Sequence, residues 1–326
     1  MYKYLYIIIL ITLFSCKKTD REYTYDDIDF KEEMRSFVIN ISQYAKARQP
    51  EFKIIPQNGV KLITKNASVN GSIHQNYVQA IDGQGQEGLH YGYLQDNTLT
   101  DQQTTDYLKL FLDKLLTQNK KILITEYCSN PLYIIDAYQK NDAAGYTGFV
   151  ATSRELDNIP TIPIHHQNSN DINQLSDAQN FLYLLNPHLF PNKQAFIQSI
   201  RQTNYDVVIM DLFFDENTAF TPQEITQLKH KANGGERILI AYISIGEAED
   251  YRYYWKPEWN TDKPIWLDQE NPDWQGNFKV RYWEEEWQKI IYGNDQSYIK
   301  KIIDAGFDGA YLDIIDAFEF FEKRYR

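Results

Sequence analysis

The chain has 326 residues, 43% of them hydrophobic, and its 33 basic against 45 acidic side chains leave a formal net charge of -12. Such a length and apolar content suit one large α/β domain. The negative balance argues against nucleic acid or anionic lipid headgroups as the main partner, because both select cationic surfaces.

At the start of the chain, Lys3 precedes an apolar run from Tyr4 to Phe14. The run is shorter than the roughly 20 residues a membrane-spanning helix needs, and it reads as a signal peptide over 1–15. Leu13-Phe14-Ser15-Cys16 resembles a bacterial lipobox. The expectation is therefore a lipid-anchored protein of the bacterial cell envelope, acylated at Cys16, with 16–28 as a tether; the alternative is a plain secretory signal with an incidental cysteine. Cys128 is then the one cysteine left, and a lone thiol forms no internal disulfide, so the fold relies on its core.

From residue 29 onward helical and strand patterns alternate. Phe30, Met34, Phe37, Val38, Ile41 and Ala45 mark one face of a helix ending before Pro50. Strands are predicted at 52–55, 77–81, 121–126 and 147–151. Thr100 and Gln103 have the spacing of a helix-opening capping box, and Asn130-Pro131 opens a further helix for which Gly145 is the stop. The polar stretch 158–178 reads as an internal connector. Further strands follow at 180–185, 206–210, 237–244 and 307–312, with a helix opened by Thr221-Pro222-Gln223-Glu224 and stopped near Gly234. Eight apolar strands separated by mostly helical segments predict a single-domain (β/α)8 TIM barrel over 29–326, with a doubly wound open sheet as the runner-up.

Barrels of this kind carry their chemistry at the C-terminal strand ends. Those ends here are Asn58, Glu87, Glu126, Asn186, Asp211, Ser244 with Glu247, and Asp313 with Asp316, a ring rich in carboxylates. None is histidine, and the six histidines (74, 90, 165, 166, 188 and 230) show no zinc-binding spacing. Neither a metal nor another cofactor is therefore expected. No serine sits in a nucleophile elbow. Two carboxylates with aromatic neighbours suit glycoside hydrolysis, one protonating the leaving oxygen and the other attacking the anomeric carbon or activating water; the competing reading is that individual carboxylates cap loops or pair with arginine. Gly83-Gln-Gly85-Gln-Glu-Gly88 matches a dinucleotide fingerprint in letters only, since His90-Tyr91-Gly92 follows where a helix should open. All six tryptophans fall between Trp255 and Trp287. They predict a long loop over the mouth, about four of them forming a mini-core and the rest free to face sugar rings.

Three blocks carry a family resemblance: Tyr242-Ile-Ser-Ile-Gly-Glu247-Ala-Glu249-Asp-Tyr-Arg252, Arg281-Tyr-Trp283 with Trp287, and Gly306-Phe-Asp-Gly-Ala-Tyr-Leu-Asp313-Ile-Ile-Asp316. Together they resemble glycoside hydrolase family 114, as do Ile55-Pro-Gln-Asn58-Gly, the segment 80–87 and Arg154-Glu-Leu-Asp157. The resemblance implies a TIM barrel with endo-α-1,4-polygalactosaminidase activity, a polysaccharide substrate and a monomer. It implies Asp313 as nucleophile, Glu87 as acid/base, and Asp211, Tyr242, Glu247 and Arg252 as binding or positioning residues; Asn58, Glu126 and Asp316, from the ring of strand ends, are further candidate substrate-binding residues. In the family the Gly-Phe-Asp-Gly block precedes the Pro-Gln-Asn-Gly block, whereas here it comes last, which implies a circularly permuted chain. A non-catalytic glycan-binding lipoprotein on the same barrel is the alternative function.

Overall fold

A computed structural model describes residues 25–216 and 218–326. The leader, Cys16 and most of the tether lie outside these residues. Helix α1 (Phe30–Lys46) opens on Asp29, whose carboxylate accepts from the Glu32 amide at 3.1 Å, and buries the predicted apolar face. Strand β1 (Lys53–Pro56) follows, buried along its whole length.

The segment predicted as a strand at 77–81 is instead helix α2 (Gln75–Ala80), and the strand is the glycine-bearing run after it, β2 (Gly83–Glu87). Glycine normally argues against a strand interior. Here Gly85 leaves the space that the Tyr311 hydroxyl fills, and a Cβ at Gly83 would meet the Lys121 carbonyl. Helix α3 (Gln102–Thr117) is capped by Asp101, not by the predicted Thr100; the Thr100 hydroxyl donates to the Gly88 carbonyl at 2.7 Å. Strand β3 (Lys121–Tyr127), helix α4 (Pro131–Ala144) with its Asn130 cap and left-handed Gly145 stop, and strand β4 (Thr147–Ala151) fall where the sequence puts them.

After the connector come β5 (Phe181–Tyr183), α5 (Lys193–Arg201), β6 (Val207–Asp211) and α6 (Pro222–Leu228). Thr221 and Glu224 make the predicted capping box, but α6 ends well before Gly234. Strand β7 (Ile238–Ser244) leads into the tryptophan-rich segment. That segment is no loop but a three-stranded antiparallel sheet, with β8 (Glu247–Glu249), β9 (Leu267–Glu270) and β10 (Asn277–Val280) in the order β8-β10-β9. Trp255, Trp259, Trp266 and Trp287 stack edge to face or tilted in one chain of rings beneath it. Helices α7 (Glu285–Ile291) and α8 (Tyr298–Ala305), strand β11 (Gly309–Asp313) and helix α9 (Ala317–Tyr325) complete the described chain.

Apart from the antiparallel flap, the strands are all parallel, in two sheets ordered β1-β11-β7-β6-β5 and β2-β3-β4. The sheets meet where Gln57 bridges Gly85. The result is a single-domain α/β fold with a TIM-barrel-like layout, its helices packed around one large apolar core, with a smaller cluster of Tyr91, Cys128, Ile134, Ala137 and Val150 under α4. β1 runs parallel beside β11, with Pro56 opposite Leu312. α1 and α9 pack together through Phe30 and Phe321, and Tyr25 stacks on Tyr325 with centroids 3.7 Å apart. Among the described residues no helix is long and apolar enough to cross a membrane.

Candidate active site

Parallel strands alternate their side chains in and out with period two. At the C-terminal ends this brings Gln57, Glu87, Tyr127, Tyr183, Asp211, Tyr242 and Asp313 to one hollow of about 600 Å³. A second hollow of about 510 Å³ adjoins it, and the two share Asn58, Glu87, Arg154 and Asp316. Glu87 thus lies where the two limbs of one cleft meet, and Asp313 lines the larger limb.

Glu87, at the end of β2, is held by three donors: Gln57 Nε2 at 2.7 Å, Asn58 Nδ2 at 3.0 Å and the Tyr127 hydroxyl. The Tyr183 hydroxyl in turn donates to Gln57 Oε1 at 2.9 Å. Asn58 adopts a left-handed backbone (φ 59°), and its Oδ1 accepts from the Glu87 amide at 3.2 Å. Asn58 therefore fixes Glu87 in place as well as lining the cleft. Asp313, at the end of β11, accepts from the Tyr242 hydroxyl at 2.8 Å and from the Ile314 amide at 2.8 Å. Burial, and next the charge of Glu87, push the Asp313 carboxyl up to about 8. Asp313 therefore favours its protonated form near neutral pH. Burial keeps the phenols of Tyr127, Tyr183, Tyr242 and Tyr311 well above their ordinary range, so all four stay neutral; the first three donate, while the buried Tyr311 hydroxyl has no hydrogen-bond partner.

The other predicted residues divide by position. Asp316 stands at the junction of the limbs, its carboxyl pushed up to about 6 by burial and then by Glu319. Asp211 and Arg252 line the cleft, but they are bound to each other, with Nη1 and Nη2 of Arg252 3.0 and 2.7 Å from the two Asp211 oxygens. Arg252 also reaches Glu249 at 2.6 Å. It is therefore a buried strut between Asp211 and Glu249. Glu247 pairs with Lys279 and accepts from Asn271 at 2.9 Å.

Glu126 is placed elsewhere altogether. Fully buried, it turns away from the cleft to accept from the amides of His90 (3.0 Å) and Tyr91 (2.8 Å) and from Asn141 Nδ2 (3.3 Å), and burial raises its carboxyl to about 7. Its role is to brace the loop after β2 against α4. Sequence reasoning took every carboxylate at a strand end for a mouth residue, but at 126 the inward position belongs to the next residue, Tyr127.

Gln57, Tyr127, Tyr183, Glu249 and Trp274 are the residues it missed. The signals were present in the uncommon total of 25 tyrosines and in the period-two spacing that puts Gln57, Tyr127 and Tyr183 on inward faces. Trp274, at the flap's turn, is 53% exposed and lines the cleft, while the other five tryptophans are buried or half-buried.

The raised Asp313 carboxyl makes a stability prediction. The folded chain keeps a proton there that the unfolded chain releases near pH 4. The group's contribution is thus complete below about pH 4 and is lost as pH rises through about 8. Asp313→Asn, which keeps the shape without the charge, is expected to melt close to the parent at pH 4–5 and above it at pH 8–9. Melting curves showing the same offset at both ends of that range would contradict the assignment.

Residues 164–324 match the model of glycoside-hydrolase family GH114, a stretch that holds Asp211, Tyr242, Glu247, Arg252, Asp313 and Asp316 but not Asn58, Glu87 or Glu126. An uncharacterized protein of Methanocaldococcus jannaschii is 43% identical over 159 residues, covering 48% of this chain and 43% of that protein. One of Thermotoga maritima is 41% identical over 137 residues (41% and 40% covered), and one of Deinococcus radiodurans is 37% identical over 131 residues (40% of each). The matches span about two-fifths of the length of these relatives. Through residues 164–324, the chain belongs to glycoside-hydrolase family GH114.

Proposed function

We propose that the protein is a glycoside hydrolase that cleaves an α-1,4-linked, galactosamine-containing polymer, with Asp313 and Glu87 as the reacting carboxylates. The observation that carries this reading is that two carboxyls from different sheets line one hollow, each held there by neutral hydrogen-bond donors. One proton donor and one ionised carboxylate are the minimal equipment for hydrolysing a glycosidic bond. Limbs on both sides of the pair suit a polymer lying across it and cut internally. Carboxylates outnumber cationic side chains along both limbs, which suits a polymer bearing free ammonium groups. Trp274 offers an exposed indole for a sugar face.

In the retaining sequence, Asp313 attacks the anomeric carbon while Glu87 gives its proton to the leaving glycosidic oxygen. Water activated by Glu87 then releases the sugar from Asp313. Asp313 must first be ionised. A sugar ammonium beside it favours the charged form and leaves the pair's proton to Glu87. A cationic substrate thereby prepares its own nucleophile.

The test is turnover of α-1,4-galactosamine polymer against its fully N-acetylated form. Asp313→Asn and Glu87→Gln should each lower kcat by roughly 10²–10⁴-fold, while Trp274→Ala should mainly raise KM. Activity on the neutral polymer should fall as pH rises through about 8, where the pair loses its proton, and activity on the cationic one should fall at lower pH. Near-parental turnover in both carboxylate variants would end the pairing. Binding without turnover across a panel of such polymers would transfer the function to a glycan-binding lipoprotein.

We further propose that the strands close into a (β/α)8 barrel between β4 and β5, and that the chain is a circular permutation of the family order. In support of closure, Phe149 and Phe181 pack across that gap at 5.5 Å. In support of permutation, β1 neighbours β11, and Arg326 donates to the Ile28 carbonyl at 2.8 Å. A reordered chain, opened at Ile159 and joined from Arg326 to Asp29 by a short linker, should fold and melt within a few degrees of the parent; an unfolded product would refute the permutation.

Lipid anchoring through Cys16, with residence in the bacterial cell envelope as a monomer, is proposed from the Leu13–Cys16 motif. Cys16→Ala should move the protein out of the membrane fraction, and continued membrane retention would exclude that anchor.

A further inference from the structure

At the opposite end of the strands from the cleft, three side chains with metal-ligating atoms converge. Asp142 stands in the last turn of α4, and His165 and His166 come from the connector. Asp142 Oδ2 lies 2.9 Å from His165 Nε2, and Oδ1 lies 3.1 Å from His166 Nε2. One ligating atom from each of the three residues falls within 4.8 Å of the others. These separations approach the roughly 3.3 Å between two ligands of a tetrahedral ion with bonds of about 2.0–2.1 Å.

Both rings are held by their surroundings. His165 stacks on Tyr138 with centroids 4.2 Å apart, and the Tyr138 hydroxyl accepts from the Val150 amide at 3.4 Å. His166 adopts a left-handed backbone (φ 52°), and its carbonyl accepts from Asn168 Nδ2 at 3.2 Å and Asn180 Nδ2 at 3.0 Å. The carbonyl end of α4 carries partial negative charge, and its last turn has no basic residue. A hollow of about 520 Å³ beside Asp142 and His166 leaves room for water on an ion. Nothing in the proposed hydrolysis uses these residues. Their sequence spacing gives no warning either, because two adjacent histidines reach the carboxylate from a different element.

We propose that Asp142, His165 and His166 bind one Zn²⁺, with water completing the coordination, and that the ion clips the connector to the base of the strands. Two imidazoles select zinc over magnesium or calcium, which prefer all-oxygen sites. Binding replaces the two imidazole–carboxylate contacts with three metal bonds, the ring nitrogens facing the ion giving up any proton they carry. The clip has a load to hold, for the same connector carries Asn168, which reaches the buried Asp206 at 2.9 Å beside the Lys231 ammonium.

The test uses the purified protein without a polyhistidine tag, stripped with EDTA and desalted. Calorimetric titration with ZnCl₂ should show one ion per chain, and saturating zinc should raise Tm, whereas MgCl₂ should do neither. Asp142→Asn and the His165→Ala/His166→Ala double variant, all at exposed or half-buried positions, should fold but bind zinc at least about tenfold more weakly. A control His188→Ala/His230→Ala variant should bind as the parent does. No saturable zinc binding, or equal binding by the parent and the Asp142 and His165/His166 variants, would overturn the proposal.

Discussion

Strands β1 and β2 belong to different hydrogen-bonded sheets, and what joins them is a handful of bonds, several of them made by side chains. The Ile54 amide donates to Asp82 Oδ2 at 2.8 Å, the Asn58 amide to the Gly85 carbonyl at 2.9 Å, and Gln84 Nε2 to the Asn58 carbonyl at 2.7 Å. The same Asn58 then grips Glu87 through both its backbone amide and its carboxylate. Joining the sheets and aiming the carboxylate are therefore one act. The left-handed conformation of Asn58 and Gly59 lets the chain make this turn, a conformation that asparagine and glycine tolerate better than other residues.

Around this seam the site concentrates like charges that the fold must tolerate. Asp313 and Glu87 share a confined space, Asp316 adds a third carboxyl, and Asp211 and Glu249 lie on the wall behind. Counter-charge is supplied mainly at the wall, and the cation at the junction, Arg154, is paired with Asp96. Arg252 neutralises Asp211 and Glu249, and Lys279 neutralises Glu247, while phenols and amides alone contact the central pair. Neutral donors orient a carboxylate without cancelling the repulsion that keeps one proton in the pair.

Much of this was legible in the residues, and the failures have identifiable causes. Helices with strong caps, such as those opening at Asn130 and Thr221, were found because their signals are local. The strand holding Glu87 was displaced because its glycines look like a loop until Tyr311, more than two hundred residues later, is seen to occupy the space beside Gly85. Glu126 was misplaced because burial direction depends on register, and a one-residue error reverses it. The donors to Glu87 come from β1 and β3, and pairings across strands leave no mark on a single stretch of sequence. The tryptophan cluster revealed a mini-core but not its antiparallel sheet, whose strands are only three or four residues long.

That cluster makes the molecule's optical behaviour unusually local. All six indoles lie between 255 and 287: four belong to the flap, Trp287 packs against it from α7, and Trp283 packs against the ends of α1 and α9. Intrinsic fluorescence therefore witnesses the flap and is nearly blind to the parallel strands, whose backbone is seen instead by far-ultraviolet circular dichroism. Recorded side by side, the two signals separate loosening of the cleft's lip from collapse of its floor. A sugar settling on Trp274 would register against a background of indoles already shielded from water.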